Sequence, residues 1–136
     1  LFQQHIEAQC KRLRILGFTG TPIIRGNLNA MDKSLLPSLQ TVCTEILNNI
    51  AKHGKPGAFA FILSVGPDAV RIFASNLYNA INSAPENHYG TALIQDFAQQ
   101  HNGTMTINSE NEEWSLSLTI PLAHQVKLMF SPTEKL

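Results

Sequence analysis

The chain has 136 residues, enough for one domain with a core of its own, and we interpret residues 1–136 as a single domain. Hydrophobic residues make up 43% of the chain and charged residues 15%, which is typical of a globular protein and excludes a disordered one. Ten basic residues balance ten acidic ones, so no net charge attracts nucleic acid or an anionic membrane, and we expect no direct nucleic-acid partner.

The two cysteines, Cys10 and Cys43, are too few for a disulfide framework and lack the spacing of metal ligands. We expect both to be buried or half-buried thiols of a reducing compartment. The longest apolar stretches, such as residues 58–65, are far too short to cross a bilayer, and no signal-peptide pattern opens the chain. Because the chain begins with Leu1 instead of Met, we expect it to be part of a longer protein.

The first part of the chain is predicted to hold two helices with a short strand between them. Residues 1–16 carry apolar side chains at helical spacing, and glycines end that helix. Residues 21–28 are typical of a short strand at a sheet edge, because Pro22 cannot donate to a ladder. The strongest helix is predicted from Ser34, as its N-cap, to about His53, where a Gly-Lys-Pro-Gly run ends it.

The second part is predicted to hold two hairpins on either side of a long loop. The predicted segments are strands 58–65 and 70–75, loop 76–89, helix 91–101, and strands 104–109 and 114–122. The loop is longer than most connections, which is typical of a functional lid. The tail, residues 123–136, is weakly specified.

The order of these elements predicts an α+β protein with an antiparallel or mixed sheet covered on one face by helices. The last strand supports this prediction. From Trp114 to Ile120 its apolar residues alternate strictly with serine and threonine, so one face of the sheet is buried and the other is polar. An all-parallel sheet would bury both faces.

The long helix carries a polar stripe beside its apolar face. Thr41, Glu45, Asn49 and Lys52 fall within roughly 80° of one another around a helix, and His53 lies at the edge of the stripe. By spacing alone, an ordinary solvated face explains these residues as well as a functional site does.

The segment TEILNNIAKHG, residues 44–54, resembles the N-box of the GHKL ATPase superfamily, to which bacterial sensor histidine kinases belong. The N-box pattern is Glu, three residues, Asn, two residues, Lys or Arg, then His, and all four positions match. The resemblance implies the two-layer α/β sandwich of that superfamily, also called the Bergerat fold. It implies that Asn49 is the ligand through which Mg²⁺ bridges the triphosphate of ATP, and that Glu45 acts as a base or orients the acceptor. Lys52 and His53 would lie along the phosphates and ribose.

The segment YGTAL resembles the second glycine box, GxGL, of the same superfamily. Gly90 would let the backbone approach phosphate, and the free N–H groups at the start of the next helix would bind it. Thr91, Ala92 and Leu93 complete the segment, with Ala92 in place of the second glycine. The resemblance therefore implies that these four residues contact the nucleotide, and it makes residues 76–90 the ATP lid.

The first glycine box departs from the superfamily pattern Asp-x-Gly-x-Gly, whose Asp accepts a hydrogen bond from the adenine amino group. Asn76 stands at the Asp position and keeps an acceptor oxygen. Tyr78 and Ala80 stand where glycines normally occur. Quorum-sensing receptor kinases resemble this chain in having Asn there and lacking the glycines. The alternative is that Asn76 is only a turn residue after a strand.

The resemblance implies a kinase that passes the γ-phosphoryl group of Mg-ATP to a histidine on a separate dimerisation domain of the same parent protein, which then transfers it to a response regulator. His5 lacks the flanking residues of a phosphoacceptor box, so residues 1–16 are either a connector from that domain or the first helix of this one. We expect a cytoplasmic location, with a membrane reached only through an upstream part.

Two alternatives remain open. The first is a non-catalytic binding or scaffolding domain, because Tyr78, Ala80 and Ala92 add bulk where the superfamily has glycine. The second is a serine kinase similar to the anti-sigma-factor serine kinases, which would keep the nucleotide site and change the acceptor.

Overall fold

The computed structural model describes residues 1–78 and 91–122, which form a five-stranded sheet and three α-helices. The elements are α1 Phe2–Ile15, β1 Pro22–Gly26, a short 3-10 helix Leu28–Ala30, α2 Leu35–His53, β2 Gly54–Val65, β3 Ala69–Tyr78, α3 Thr91–Gln100, β4 Thr104–Glu110 and β5 Glu113–Pro121. The strand order is β1-β2-β3-β5-β4. Only the β1–β2 pair is parallel, so the sheet is mixed, which is one of the two arrangements that the order of elements predicts.

One face of the sheet is buried and the other is open. In β3 the buried residues Ile72 and Ala74 alternate with the exposed residues Arg71 and Phe73. The same alternation runs through β5, because successive side chains of a strand point to opposite faces. Buried residues of all three helices join the buried face in one apolar core, so the domain is an α+β sandwich of two layers. The predicted fold class is confirmed.

The helix α2 lies at the centre of the helical layer. Its apolar face, which includes Leu39, Ile46 and Ile50, is completely or almost completely buried. Helix α1 packs beside it, and the two are also joined by a hydrogen bond of 2.7 Å between His5 Nε2 and Thr44 Oγ1. The predicted position of both cysteines is confirmed, since Cys10 and Cys43 are free, buried thiols.

The start of α2 differs from the prediction in one detail. Ser34 occupies the N-cap position but makes no side-chain cap, because its φ of −69° and ψ of −20° are already helical. An N-cap serine needs an extended backbone to bring its hydroxyl back to the first turn. Instead, Asp32 Oδ1 accepts a hydrogen bond of 3.0 Å from the Ser34 backbone N–H.

The predicted loop 76–89 is wrong at its start. Residues 76–78 continue β3, where Asn76 pairs with Trp114 of β5, and Tyr78 pairs with Gly54 of β2. Pairing with strands on both sides outweighs the weak strand preference of asparagine. Strand β2 likewise begins at Gly54, directly after α2 and four residues earlier than predicted. The rest of the predicted ATP lid and the tail 123–136 lie outside the described residues.

Candidate functional site

Asn49 is a buried amide on the last turns of α2. It is only 4% exposed, and it stands between the fully buried Ile46 and the core residue Ile50. Within the described residues its side-chain Nδ2 has no hydrogen-bond partner. A buried polar atom without a partner costs about 1–3 kcal/mol, so an amide kept in such a position requires a reason.

Asn76 is the second buried amide, and it lies on the buried face of β3. It follows Ile72 and Ala74 at the two-residue spacing of a strand, so it takes a position that the pattern gives to an apolar residue. It is 4% exposed, and its Nδ2 donates a hydrogen bond of 2.7 Å to the Leu77 carbonyl oxygen. Directly across the strand pair lies Trp114, which is also buried.

Asn49 and Asn76 line one pocket. The pocket lies where the end of α2 meets the ends of β2, β3 and β5, and it has about 180 Å³ of empty space. Its lining residues are Asn49, His53, Gly54, Asn76, Tyr78 and Trp114. Among the residues that the structure describes, Asn49 and Asn76 are the two polar side chains classed as buried. The fold therefore brings both buried amides together from sequence positions 27 residues apart.

The pocket is narrow. No point inside it has room for a water-sized sphere, because aromatic side chains close its walls. Tyr78 is buried and reaches the pocket from the last residue of β3. In this form the pocket is too narrow for a water molecule or a nucleotide base. A base would enter only if the lining side chains moved.

Gly54 allows the amide of Asn76 to enter the pocket. A Cβ at position 54 would overlap with Asn76 Nδ2 and would lie 2.5 Å from the Ile50 carbonyl oxygen. The φ of Gly54 is −74°, an ordinary value for any residue, so the glycine is needed for space and not for its backbone conformation. Gly54 is also the residue at which α2 ends and β2 begins.

The other residues of the N-box segment lie outside this pocket or at its edge. Glu45 is half-buried, one helical turn before Asn49, and does not line the pocket. Lys52 is exposed, whereas His53 is half-buried and contributes to the lining. Of the four matched residues of the segment, Asn49 and His53 therefore line the pocket, whereas Glu45 and Lys52 do not.

The segment predicted as a second glycine box lies partly within the described residues. Thr91, Ala92 and Leu93 are the first three residues of α3, so the predicted helix start is confirmed. Ala92 and Leu93 are exposed, and Leu93 lines a separate groove between α2 and α3. None of the three lines the pocket of the two asparagines. Gly90 is outside the described residues.

A divalent cation would find few protein ligands here. Within residues 1–78 and 91–122 there is no group of three or more His, Cys, Asp or Glu side chains that could hold a metal ion. The donor set nevertheless fits Mg²⁺ bound together with a triphosphate, because Mg²⁺ takes one or two protein oxygens and fills its remaining positions with phosphate and water. Asn49 fits as the protein ligand, since its side-chain Nδ2 has no hydrogen-bond partner within the described residues and the nitrogen and oxygen of an amide are distinguished only by their contacts.

Gly54 and Trp114 belong to the pocket but were not predicted as site residues from the sequence, and Tyr78 was noted there only as a departure from a motif. The alternation in β5 did place Trp114 on the buried face, which was the available signal. Because Trp114 is far from the other site residues along the chain, no local pattern indicated that it lies beside Asn76. Only the register of β3 and β5 shows that Trp114 is opposite Asn76.

No family model matches the sequence, and no curated protein matches it. The fold, by contrast, is that of solved catalytic domains of histidine kinases. The catalytic domain of the histidine kinase ThkA, in a nucleotide-free form, superimposes with a TM-score of 0.65 at 9% identity, over 89% of this chain and 91% of that one. The histidine kinase AdeS of Acinetobacter baumannii gives a TM-score of 0.68 at 11% identity, over 88% of this chain and 61% of that one.

The blue-light activated histidine kinase EL346 of Erythrobacter litoralis gives a TM-score of 0.64 at 10% identity. The match covers 93% of this chain and 43% of that one, so the chain spans less than half of the longer kinase. Within the described residues no helix is long and apolar enough to span a membrane.

The fold was predicted correctly from an eleven-residue motif and the order of elements, since the solved structures that match this chain are histidine kinases.

Proposed function

We propose that this chain binds Mg-ATP at the pocket of Asn49 and Asn76 and passes the γ-phosphoryl group to a histidine on another domain of its parent protein. The phosphoryl group would then go to a response regulator. One observation carries the proposal: the two buried polar side chains of the described residues line one pocket, and one of them has a polar atom without a partner. The fold of histidine kinase catalytic domains supports it.

The adenine base of the nucleotide would form a hydrogen bond with Asn76. Its Nδ2 is engaged by the Leu77 carbonyl, so Oδ1 is the atom that would accept a hydrogen bond from the adenine amino group. The buried ring of Trp114 and the buried Tyr78 offer the apolar surface that a base requires. Because the pocket is too narrow for a base, its lining, to which Tyr78 contributes, would have to shift when a base enters.

The phosphate end would lie along the last turns of α2. Asn49 would provide the protein ligand to Mg²⁺, and the ion would neutralise part of the negative charge of the phosphates. Lys52 and His53, in the last turn of α2, would provide positive charge or hydrogen bonds to the phosphates and ribose. The first turn of α3, which begins at Thr91, would present unpaired backbone N–H groups.

In the transfer step, a ring nitrogen of the acceptor histidine would attack the γ-phosphorus while the bond to the β–γ bridging oxygen breaks and ADP leaves. Glu45 would accept or hold the proton of the imidazole and keep the attacking nitrogen oriented. Positioning and charge neutralisation account for most of the rate of such transfers, so these few groups are sufficient.

A binding module without turnover is the second candidate, and the pocket itself favours it. Tyr78 is buried in the lining, and the pocket has no room for a water-sized sphere. A domain of this kind would keep the fold and use it for interaction with other parts of the protein. Under this function Mg-ATP would not bind, and the phosphoacceptor would be modified by another kinase or by none.

Isothermal titration with Mg-ATP tests the proposal directly. We expect binding to the unaltered chain and at least tenfold weaker binding to Asn49→Ala, because about 1.4 kcal/mol corresponds to one factor of ten and loss of a metal ligand exceeds it. Asn108→Ala, at an exposed position of β4, is the matched control and should bind as the unaltered chain does. Equal binding by all three proteins would reject the role of Asn49, and absence of binding would favour the non-catalytic module.

The acceptor class needs a separate measurement. After incubation of the intact parent protein with Mg-ATP, we expect phosphohistidine, from which acid releases the phosphate. Acid-stable phosphoserine on a partner would instead favour the serine-kinase alternative. A Glu45→Gln parent should bind Mg-ATP normally and transfer phosphate more slowly, because the substitution removes the base and keeps the size of the side chain.

A further inference from the structure

The open face of the sheet, which is the face away from the helices, carries a row of apolar side chains. Ile23, Ile62 and Phe73 lie side by side on β1, β2 and β3, since Ile23 is in register with Ile62 and Ile62 with Phe73. Ile23 is 47% exposed and Phe73 is 39% exposed. Large apolar residues that are grouped on an otherwise polar sheet face are typical of a surface that contacts a partner.

Two arginines lie beside this apolar row on the same face. Arg25 of β1 and Arg71 of β3 flank Ser64 of β2, with which each is in register, and Thr119 of β5 continues the line beyond Arg71. Both arginines line one shallow pocket of about 500 Å³, together with Ile62, Ser64 and Phe73. Two strand spacings separate the arginines, roughly 10 Å, so both guanidinium groups can reach a single carboxylate above Ser64.

Neither arginine has a partner within the part of the chain that the structure describes. The side-chain hydrogen bonds of arginine there belong to Arg12 and Arg14. The acidic residues of the open face, Glu110 and Glu113, lie at its other end, beside a separate pocket. Asp68, in the turn between β2 and β3, makes no ion pair with either arginine. Within the described residues, the arginines therefore present unpaired positive charge next to exposed apolar side chains.

We propose that this end of the open face binds an acidic, extended segment of a partner protein. The charge of Arg25 and Arg71 selects a carboxylate, and the apolar row selects a large apolar side chain. The two rows are two residues apart along the strands, roughly 7 Å, which is the distance between side chains i and i+2 of an extended chain. A segment with an apolar residue two positions from an aspartate or glutamate therefore fits both rows at once. The surface is independent of the proposed nucleotide site, which lies on the buried face.

The test uses a short probe of that composition, the blocked peptide Ser-Phe-Ser-Asp-Ser, titrated into the isotope-labelled chain and followed by amide NMR shifts. We expect shifts confined to β1, β2 and β3 around Ser64, and none with the matched peptide Ser-Phe-Ser-Lys-Ser. The double variant Arg25→Gln, Arg71→Gln should bind about tenfold more weakly, the combined effect of two exposed charge pairs. Arg12→Gln, on the exposed side of α1, is the control and should bind normally.

Several outcomes would overturn the proposal. Equal shifts with the lysine peptide, or undiminished binding by the double variant, would exclude recognition of the carboxylate. The same shifts with inorganic phosphate alone would indicate a small-anion site, and binding to vesicles of phosphatidylglycerol without peptide binding would indicate a membrane surface. Concentration-dependent self-association that the double variant abolishes would identify a second copy of the chain as the occupant. Because both arginines are exposed, the variants should keep their folded circular dichroism spectrum.

Discussion

Gly54 and Asn76 are packed so closely that a side chain on the glycine would occupy the space of the asparagine amide. The contact joins the junction of α2 and β2 to the end of β3, and it places the amide of Asn76 opposite the helix that carries Asn49. The wall of the pocket thus depends on a residue with no side chain.

Gly54→Ala should destabilise the domain by about 1–3 kcal/mol, the usual cost of forcing a methyl group into packed surroundings. Its Cβ would meet Asn76 Nδ2 and the Ile50 carbonyl oxygen. Urea unfolding followed by circular dichroism measures the change. Gly66→Ala is the matched control: its Cβ would be 3.5 Å from the Ala69 carbonyl oxygen, an ordinary contact, and we expect a change of at most about 0.5 kcal/mol. Equal stability of the two variants would contradict the close packing at Gly54.

Asn76→Asp restores the acidic residue of the superfamily motif, yet we expect it to lower the free energy of unfolding by about 1–3 kcal/mol at neutral pH. The substitution removes the Nδ2 donor to the Leu77 carbonyl and places a charged carboxylate in a buried position. Burial raises the pKa of such a carboxyl group, so its destabilisation is greatest above the folded pKa and decreases as the pH falls through it. Urea unfolding at neutral and acidic pH, with the exposed Asn108→Asp as control, measures this difference.

Trp114 should report nucleotide binding, because it is the single tryptophan of the chain and it lines the pocket. We expect Mg-ADP to change the intensity or wavelength of its fluorescence in a saturable manner, and Asn49→Ala to weaken the response. Thermal shift under the same conditions provides an independent measure, since a ligand that binds the folded state raises the melting temperature. Stabilisation by Mg-ADP without a fluorescence change would place the nucleotide elsewhere on the domain.

The two thiols should be inert in the folded chain. Burial raises the pKa of Cys10 from 9.0 to about 11 and raises that of Cys43 well above its ordinary value. The thiolate is the reactive form, so a disulfide reagent at about pH 8 should label neither cysteine until urea unfolds the protein. Rapid labelling of one thiol without denaturant would show that the interface of α1 and α2 opens locally.

The same burial sets a pH dependence of stability. A thiol whose pKa is higher in the folded state contributes stability that is fully present below its unfolded pKa and is lost as the pH rises through the folded one. We therefore expect the free energy of unfolding to fall between pH 9.0 and about 11, and to fall less in Cys10→Ala. Identical pH profiles of the two proteins would indicate that other groups control stability in this range.

Local sequence patterns were sufficient to identify most of the helices and strands. The apolar face of α2, the alternation from Trp114 to Ile120 and the order of helices and strands were sufficient to predict an antiparallel or mixed sheet covered by helices on one face. Periodicity identifies such elements because a helix or strand must turn one side toward the core. The pattern of Glu45, Asn49, Lys52 and His53 pointed to one helix as the place of the chemistry, although their roles remain predictions.

Which of those residues come into contact depends on the packing of helices and strands against one another. Local composition indicated that Asn76 begins a loop, whereas pairing with Trp114 keeps it in β3 and on the buried face. Gly54 appeared to be only a helix terminator, yet its missing side chain makes room for the amide of Asn76. These contacts join residues far apart in sequence, and their energies depend on register and packing, which no local pattern contains.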